Sequence, residues 1–327
     1  MVVTGASAGV GRATAREFAA RHDARIGLIA RGRAGLEGAA REVRGAGGEA
    51  LVLPCDVADA QAVERAASEV EESFGPIDVW VNVAMTAVLA EVADTTADEF
   101  RRVTEVTYLG SVHGAKAALH RMLPRDHGKI VQVGSALGYR GIPLQATYCG
   151  AKHALQGFVE SLRTELMHRG SNVGLTIVQL PGLNTTQFGW VRARTDNEPR
   201  PVAPVYEPEV AARAIVWAAF HRRRQIWVGL PTCYTIAGNR VASWIADRYL
   251  ARTAFSGQQT DRPLDPGRPD YLSEPLDEHV DRGLRGPFGD ESHGRSPQLA
   301  LTLHRRATAG VAAGLAAAAT ALVLGRH

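Results

Sequence analysis

The 327-residue chain is short of lysine, cysteine and aromatic side chains. Only Lys116, Lys129 and Lys152 appear among 37 basic residues, so nearly all the positive charge is arginine. The three cysteines, Cys55, Cys149 and Cys233, lie far apart and form no CxxC pair. That excludes a disulfide scaffold and a cysteine-built metal site, and it fits a reducing compartment. Cys149 reads as a buried structural thiol, although it neighbours a tyrosine of interest. A net charge of +3 is too small to argue for a nucleic-acid partner. No charged segment followed by an apolar stretch opens the chain, so no signal peptide is expected and the cytoplasm is the expected location. What is present is 45% hydrophobic residues and 34 glycines, over a length ample for a real core.

From Met1 to about Gly229, short β-branched runs alternate with stretches of helical period. Strands are expected at Met1–Thr4, Arg25–Ala30, Ala50–Pro54, Val79–Val83, Lys129–Val133, Gly174–Leu180 and Gln225–Gly229. Helices are expected at Gly11–His22, Arg33–Ala46, Ala60–Phe74, Thr96–Leu123, Ala151–Arg169 and Pro208–Arg222. The strands are apolar runs rather than alternations, the pattern of a parallel sheet covered on both faces. The expected fold is therefore α/β, a doubly wound parallel sheet that binds ligands at the carboxyl ends of its strands. The main domain is expected over residues 1–230 and an additional helix within 231–255. Residues 256–298, rich in Pro, Gly, Asp and Arg, read as an extended linker, and residues 299–327 as an Ala-rich tail helix.

Thr4-Gly5-Ala6-Ser7-Ala8-Gly9-Val10-Gly11 follows the first apolar strand and opens directly into a helix. Glycines let the backbone turn sharply and approach a pyrophosphate, while the following helix N-terminus favours its charge. The TGxxxGxG spacing, a strand before and a helix after together point to a dinucleotide. At the end of the second strand stands Ala30-Arg31, without the acidic residue that usually holds the ribose hydroxyls of NAD. Arg31, with Arg33 or Arg12, is placed to pair with a 2′-phosphate, so NADP(H) is expected in preference to NAD(H). Asp56, after the third strand, could accept a hydrogen bond from the adenine amino group; a plain turn residue would look the same.

Ser135 follows the strand at Lys129–Val133, and Tyr148 and Lys152 follow at YxxxK spacing. On a helix that spacing puts phenol and ammonium on one face, one turn apart. A fixed positive charge beside the phenol is expected to lower its pKa from roughly 10. Tyr148 could then exchange a proton as hydride moves at the adjacent carbon, while Ser135 holds the carbonyl or hydroxyl oxygen.

In these motifs the chain resembles the short-chain dehydrogenase/reductase family in its single-domain form, over about residues 1–230. The TGASAGVG loop, Cys55-Asp56-Val57, Ser135, Tyr148 to Lys152, and Pro181-Gly182 with Thr185 carry the resemblance. It implies a Rossmann-fold, nicotinamide-dependent alcohol dehydrogenase or carbonyl reductase with Ser135, Tyr148 and Lys152 catalytic. It also implies cofactor contacts from Gly5, Ser7, Gly9, Val10 and Gly11, from Arg31, Asp56 and Val57, and from Asn82 and Ala84. Tyr148, Lys152, Pro181, Gly182 and Thr185 complete that implied set. Members usually form dimers or tetramers, through helices that here are Ser111–Leu123 and Ala151–Arg169.

Three departures stand out. The family's NNAG segment appears as Asn82-Val83-Ala84-Met85. The family's helix asparagine, whose main-chain carbonyl anchors a water in a proton relay to the lysine, is replaced by Thr107, which puts the relay geometry in doubt. Only Met1-Val2-Val3 precede Thr4, so the true start is expected upstream of Met1. Thr107 and Met85 keep a second function open, a non-catalytic nucleotide-binding sensor or scaffold, against which the intact Ser135, Tyr148 and Lys152 argue.

Phe188, Trp190, Val191, Pro201, Val202, Pro204, Val205 and Tyr206, with Leu137, Tyr139, Ile142, Pro143 and Leu144, point to an apolar alcohol or ketone as substrate. Packing of a mobile lid would account for the same residues. Ala307–Leu324 runs without a charge and would span ~27 Å as a helix, close to a hydrocarbon core. Gly310 and Gly314 give it a GxxxG spacing, and Arg305, Arg306 and Arg326 flank it. A membrane anchor and an Ala-rich helix packed on protein both fit.

Overall fold

A computed structural model describes residues 1–304. Seven strands form one parallel sheet: β1 (Val2–Thr4), β2 (Arg25–Ala30), β3 (Glu49–Pro54), β4 (Val79–Asn82), β5 (Lys129–Ser135), β6 (Gly174–Leu180) and β7 (Gln225–Trp227). Their order across the sheet is β7-β6-β5-β4-β1-β2-β3, with every neighbouring pair parallel. The chain therefore winds outward in both directions from the gap between β1 and β4. That reversal opens a crevice at the carboxyl ends of those strands. The expected strands are all present, within two residues at each end.

Helices cover both faces. On one, α1 (Gly9–His22), α2 (Arg33–Gly45) and α7 (Pro208–Phe220) pack Phe18, Leu36 and Ile215 against Val3, Leu28 and Val178 of the sheet. On the other, α3 (Ala60–Phe74), α5 (Gly110–Met122) and α6 (Ala146–His168) pack Val63, Met122 and Leu155 against Val2, Trp80 and Ile130. Successive residues of β1 thus feed opposite cores, which explains why the strands read as unbroken apolar runs. Local signals set the ends. The Asp59 carboxylate caps α3 by accepting from the Gln61 and Ala62 N–H groups, at 2.8 and 3.0 Å.

The single helix expected over Thr96–Leu123 is divided. An α-helical turn, α4 (Ala97–Val103), passes through a π-helical stretch at Thr104–Leu109 before α5 begins. Thr107 holds the widened turn: its hydroxyl accepts from the Thr86 N–H and donates to the Thr86 carbonyl, both at 2.9 Å. Helix α6 starts at Ala146 rather than Ala151, which brings Tyr148 into its first turn. The additional helix α8 runs Gly229–Thr253, with non-helical backbone at Ala242.

Residues 256–298, read from composition as a linker, carry only short elements but lie folded on the main domain. Gln259–Pro263 pairs antiparallel with Asn197–Pro199, and Ser292–His293 pairs parallel with Val205–Tyr206. Leu272, Leu284 and Phe288 are buried, and a last helix, α9 (Pro297–Leu303), buries Leu299 in the first core. The charge-free stretch 307–324 lies outside the described residues. Among the described residues no helix is long and apolar enough to cross a membrane.

Candidate active site

Thr4 ends β1 and its hydroxyl accepts from the N–H groups of Val83 and Ala84, at 3.0 and 3.1 Å, drawing the end of β4 against the glycine loop. Gly5 and Gly9 have φ of +66° and +50°, left-handed backbone that other residues resist. A Cβ on Gly5 would come within 2.9 Å of the Ala84 backbone, and one on Gly11 would strike the Gly5 carbonyl. Ala8, at the start of α1, has no side chain to cap the helix. Its first N–H groups thus face the crevice without a side-chain partner, the arrangement a pyrophosphate fits. The residues present fit a dinucleotide.

One cavity of about 550 Å³ runs from this loop to the end of β5. Gly5, Ser7, Gly9, Val10 and Gly11 line one end, with Arg31, Asp56, Val57 and Ala84. Ser135, Tyr148 and Lys152 line the other, with Pro181, Gly182 and Thr185. Residues scattered through the sequence as candidate phosphate-binding and proton-transfer groups therefore share one cavity.

The Ser135 hydroxyl accepts from the Leu137 N–H at 3.1 Å. Lys152 is buried and its Nζ donates to the Val133 carbonyl at 2.7 Å, lying 5.6 Å from the centroid of the Tyr148 ring. Burial lowers the Lys152 ammonium to about 7. Burial also pushes the Tyr148 phenol upward, with Ser135 opposing it. The expected depression of the phenol by Lys152 is thus not found: burial prevails. Desolvation of both groups outweighs their mutual attraction, because the ammonium is directed to a backbone carbonyl rather than to the phenol oxygen.

Two expected site residues do not reach the cavity. Asn82 turns inward, its Oδ1 accepting from Trp80 Nε1 at 2.9 Å and its Nδ2 donating to the Ser111 carbonyl at 3.2 Å. Thr107 is fully buried in the π-helical turn, and its main-chain carbonyl accepts from the Ser111 hydroxyl at 3.2 Å. Asp56 does face the cavity, but its carboxylate accepts from Arg102 at 2.5 Å and from the Ala58 N–H at 3.0 Å.

Arg31 is not open to a phosphate. Its guanidinium donates to the Ser273 carbonyl at 2.7 Å, to Leu272 at 3.4 Å and to Tyr271. Arg12 is buried against Glu42 and Asp281, at 2.7 and 2.5 Å. The partners in each case include the C-terminal segment, which composition gave no reason to place here.

That segment supplies cavity-lining residues that composition did not point to. Tyr271 packs with Met85, Leu89 and Tyr148, its ring centroid 5.6 Å from that of Trp190, and burial raises its phenol to about 12. Asp277 lines the cavity beside Ser7 and Arg31. Helix α8 adds Pro231, Tyr234, Tyr249 and Leu250 to the walls. One signal was visible: Gly32, Gly35 and Gly38 recur every third residue from the N-cap of α2 into its first turns. A Cβ on the first two would strike Asp277, and one on the third Asp281.

A family model described as short chain dehydrogenase matches residues 1–196. The chain is 30% identical over 323 residues to the uncharacterized oxidoreductase YxnA of Bacillus subtilis (strain 168), covering 98% of this chain and 90% of that one. It is 31% identical over 228 residues to 17-beta-hydroxysteroid dehydrogenase 13 of Homo sapiens, covering 70% and 74% of the two chains. The crystal structure of a 3-ketoacyl-ACP reductase from Sinorhizobium meliloti 1021 matches with a TM-score of 0.60 and 25% identity, over 69% of this chain and 96% of that one. The chain belongs to the short-chain dehydrogenase family, oxidoreductases that work with NAD(H) or NADP(H).

Proposed function

We propose that the protein interconverts an alcohol and a carbonyl on an apolar small molecule, with Tyr148 as the proton donor and acceptor. The observation that carries this reading is the convergence of Ser135, Tyr148 and Lys152 on the cavity that begins at the glycine loop. When bound, a nicotinamide supplies or accepts the hydride. Ser135 holds the substrate oxygen and stabilises charge that develops on it. Tyr148, kept protonated by burial, gives its proton to that oxygen in the direction of carbonyl reduction. Lys152, 5.6 Å from the centroid of the Tyr148 ring, steadies the phenolate once the proton has left. NADP(H), expected from Ala30-Arg31, loses that support where the guanidinium is taken up by carbonyls of residues 271–273.

The apolar substrate is supported by the walls beyond Tyr148: Phe188, Trp190, Val191 and Ile142, with Tyr249 and Leu250 from α8. The names of the human hydroxysteroid dehydrogenase and the bacterial ketoacyl reductase point the same way. The reading extends to a cytoplasmic homodimer or homotetramer through helices α5 and α6, attached to a membrane by residues 307–324.

The test is coenzyme oxidation against a panel of apolar ketones. Turnover is expected on at least one of them, and Tyr148→Phe is expected to cut it about a thousandfold while coenzyme binding persists. Binding of coenzyme with no Tyr148-dependent turnover on any substrate would refute the reading in favour of a non-catalytic nucleotide sensor.

A further inference from the structure

Helix α2 follows the strand end where the adenosine ribose of a dinucleotide is held, and the N–H groups at such a helix start attract an anion. Here the chain's own C-terminal segment occupies them. The Gly35 N–H donates to the Asp277 carbonyl at 3.0 Å and the Ala34 N–H to the Glu278 carbonyl at 3.1 Å. The Arg33 N–H donates to Glu278 Oε2 at 3.0 Å. Arg31, the nearest candidate cation, is bound to carbonyls of the same segment. The features that would receive a 2′-phosphate are thus satisfied from within the protein.

Asp277 is the exception inside this packed arrangement. It is only 6% exposed and it lines the cavity with Ser7, Gly9 and Arg31. It lodges against Gly32 and Gly35, where any side chain on α2 would displace it. A carboxylate at a cavity wall accepts hydrogen bonds from whatever donor the cavity receives, and a ribose hydroxyl is such a donor. A phosphate does the reverse, because it brings a charge of about −2 toward Asp277, Glu278 and Asp56. Arg102 is already paired with Asp56, and Arg33, though exposed, has Glu37 4.0 Å from its guanidinium and Glu278 at its own backbone N–H.

We propose that the C-terminal segment fills the 2′-phosphate subsite and that Asp277 selects NAD(H) over NADP(H) by accepting hydrogen bonds from the adenosine ribose hydroxyls. The acidic residue missing from the end of β2 is then supplied from the far end of the chain. The proposal rests on the dinucleotide reading of the cavity but not on the identity of the substrate.

The experiment measures dissociation constants of NADH and NADPH for the full chain, by calorimetry or coenzyme fluorescence without turnover. The wild type is expected to bind NADH at least about tenfold more tightly. Asp277→Asn, which keeps the shape and removes the charge, is expected to narrow the ratio by about tenfold with an unchanged unfolding midpoint. Equal or tighter binding of NADPH by the wild type overturns the proposal whatever the variant does, and leaves the oxidoreductase reading standing. An unchanged ratio in a folded Asp277→Asn protein overturns it as well. Failure of both coenzymes to bind removes the dinucleotide reading itself, and the proposal with it.

Discussion

Replacing Lys152 with methionine should change how the stability of the coenzyme-free protein depends on pH, in a direction fixed by its burial. The ammonium has an ordinary value of 10.5 and is lowered to about 7 by desolvation, with a single hydrogen bond to the Val133 carbonyl to offset it. Above about pH 7 the folded protein no longer holds this proton, while the unfolded chain holds it until about 10.5. The unfolded state therefore binds more protons across that window, and the contribution of this group to stability rises with pH. One proton corresponds to about 1.4 kcal/mol per pH unit, so wild type should gain about 2 to 3 kcal/mol relative to Lys152→Met between about pH 7 and 9. Methionine loses the bond to Val133 as well, but that offset, about 1 kcal/mol, does not vary with pH. Lys129, lowered to about 8 by burial, and the Met1 amino group, lowered to about 6 by burial, titrate in both proteins and cancel in the difference. Reversible urea unfolding of both proteins at several pH values, without nucleotide, gives the comparison. Parallel profiles would mean that Lys152 keeps its proton when folded and that the burial argument is wrong.

Glu99 is the buried centre of an ion-pair cluster with Arg192 and Arg194. Burial favours the neutral acid, yet hydrogen bonds from Arg194, the Thr96 N–H and Arg192 prevail and hold its carboxyl at about 2. Glu99→Gln should cost about 2 kcal/mol in urea unfolding at neutral pH, less than for a fully enclosed pair because both arginines reach water. The difference should shrink as pH falls through the acid range toward 2, where the wild-type carboxylate itself is protonated. For the tail, removal of residues 305–327 leaves Leu299 seated in the core. If the stretch is an anchor, the full chain should sediment with membranes and the shortened one should not; equal partition would dismiss the anchor.

The sheet was legible because its strands are buried on both faces. Each is a run such as Val79-Trp80-Val81 that no surface strand could carry, and each is followed by a helix of clear period. The break in Thr96–Leu123 was not legible from periodicity, because a π-helical turn inserts one residue without interrupting the helix. Its traces are Thr107, which bonds back to the Thr86 backbone, and Gly110, where a Cβ would come 2.6 Å from Val57 Cγ2. Both are small-scale steric facts that appear only when the neighbouring strand end is in place.

The site divides along the same line. Ser135, Tyr148, Lys152 and the glycine loop could be named because their chemistry depends on spacing within one element or at one strand end. Asn82 could not be placed, since the choice between facing the cavity and facing Ser111 depends on Trp80 and Gly114 beside it. The C-terminal segment was hidden for a further reason. Its attachment to the domain runs through backbone carbonyls taking up Arg31 and Arg102, and through acidic side chains seated on the glycines of α2. Apolar periodicity is blind to such contacts, and a Pro-, Gly- and Asp-rich composition reads as a linker whether the segment is free or fastened. The glycines at 32, 35 and 38 were the accessible clue. Glycine in a helix costs about 1 kcal/mol relative to alanine. Two of them inside α2, Gly35 and Gly38, with Gly32 at its N-cap, make sense if something lies closer to that helix than a Cβ allows, and here it is Asp277 and Asp281.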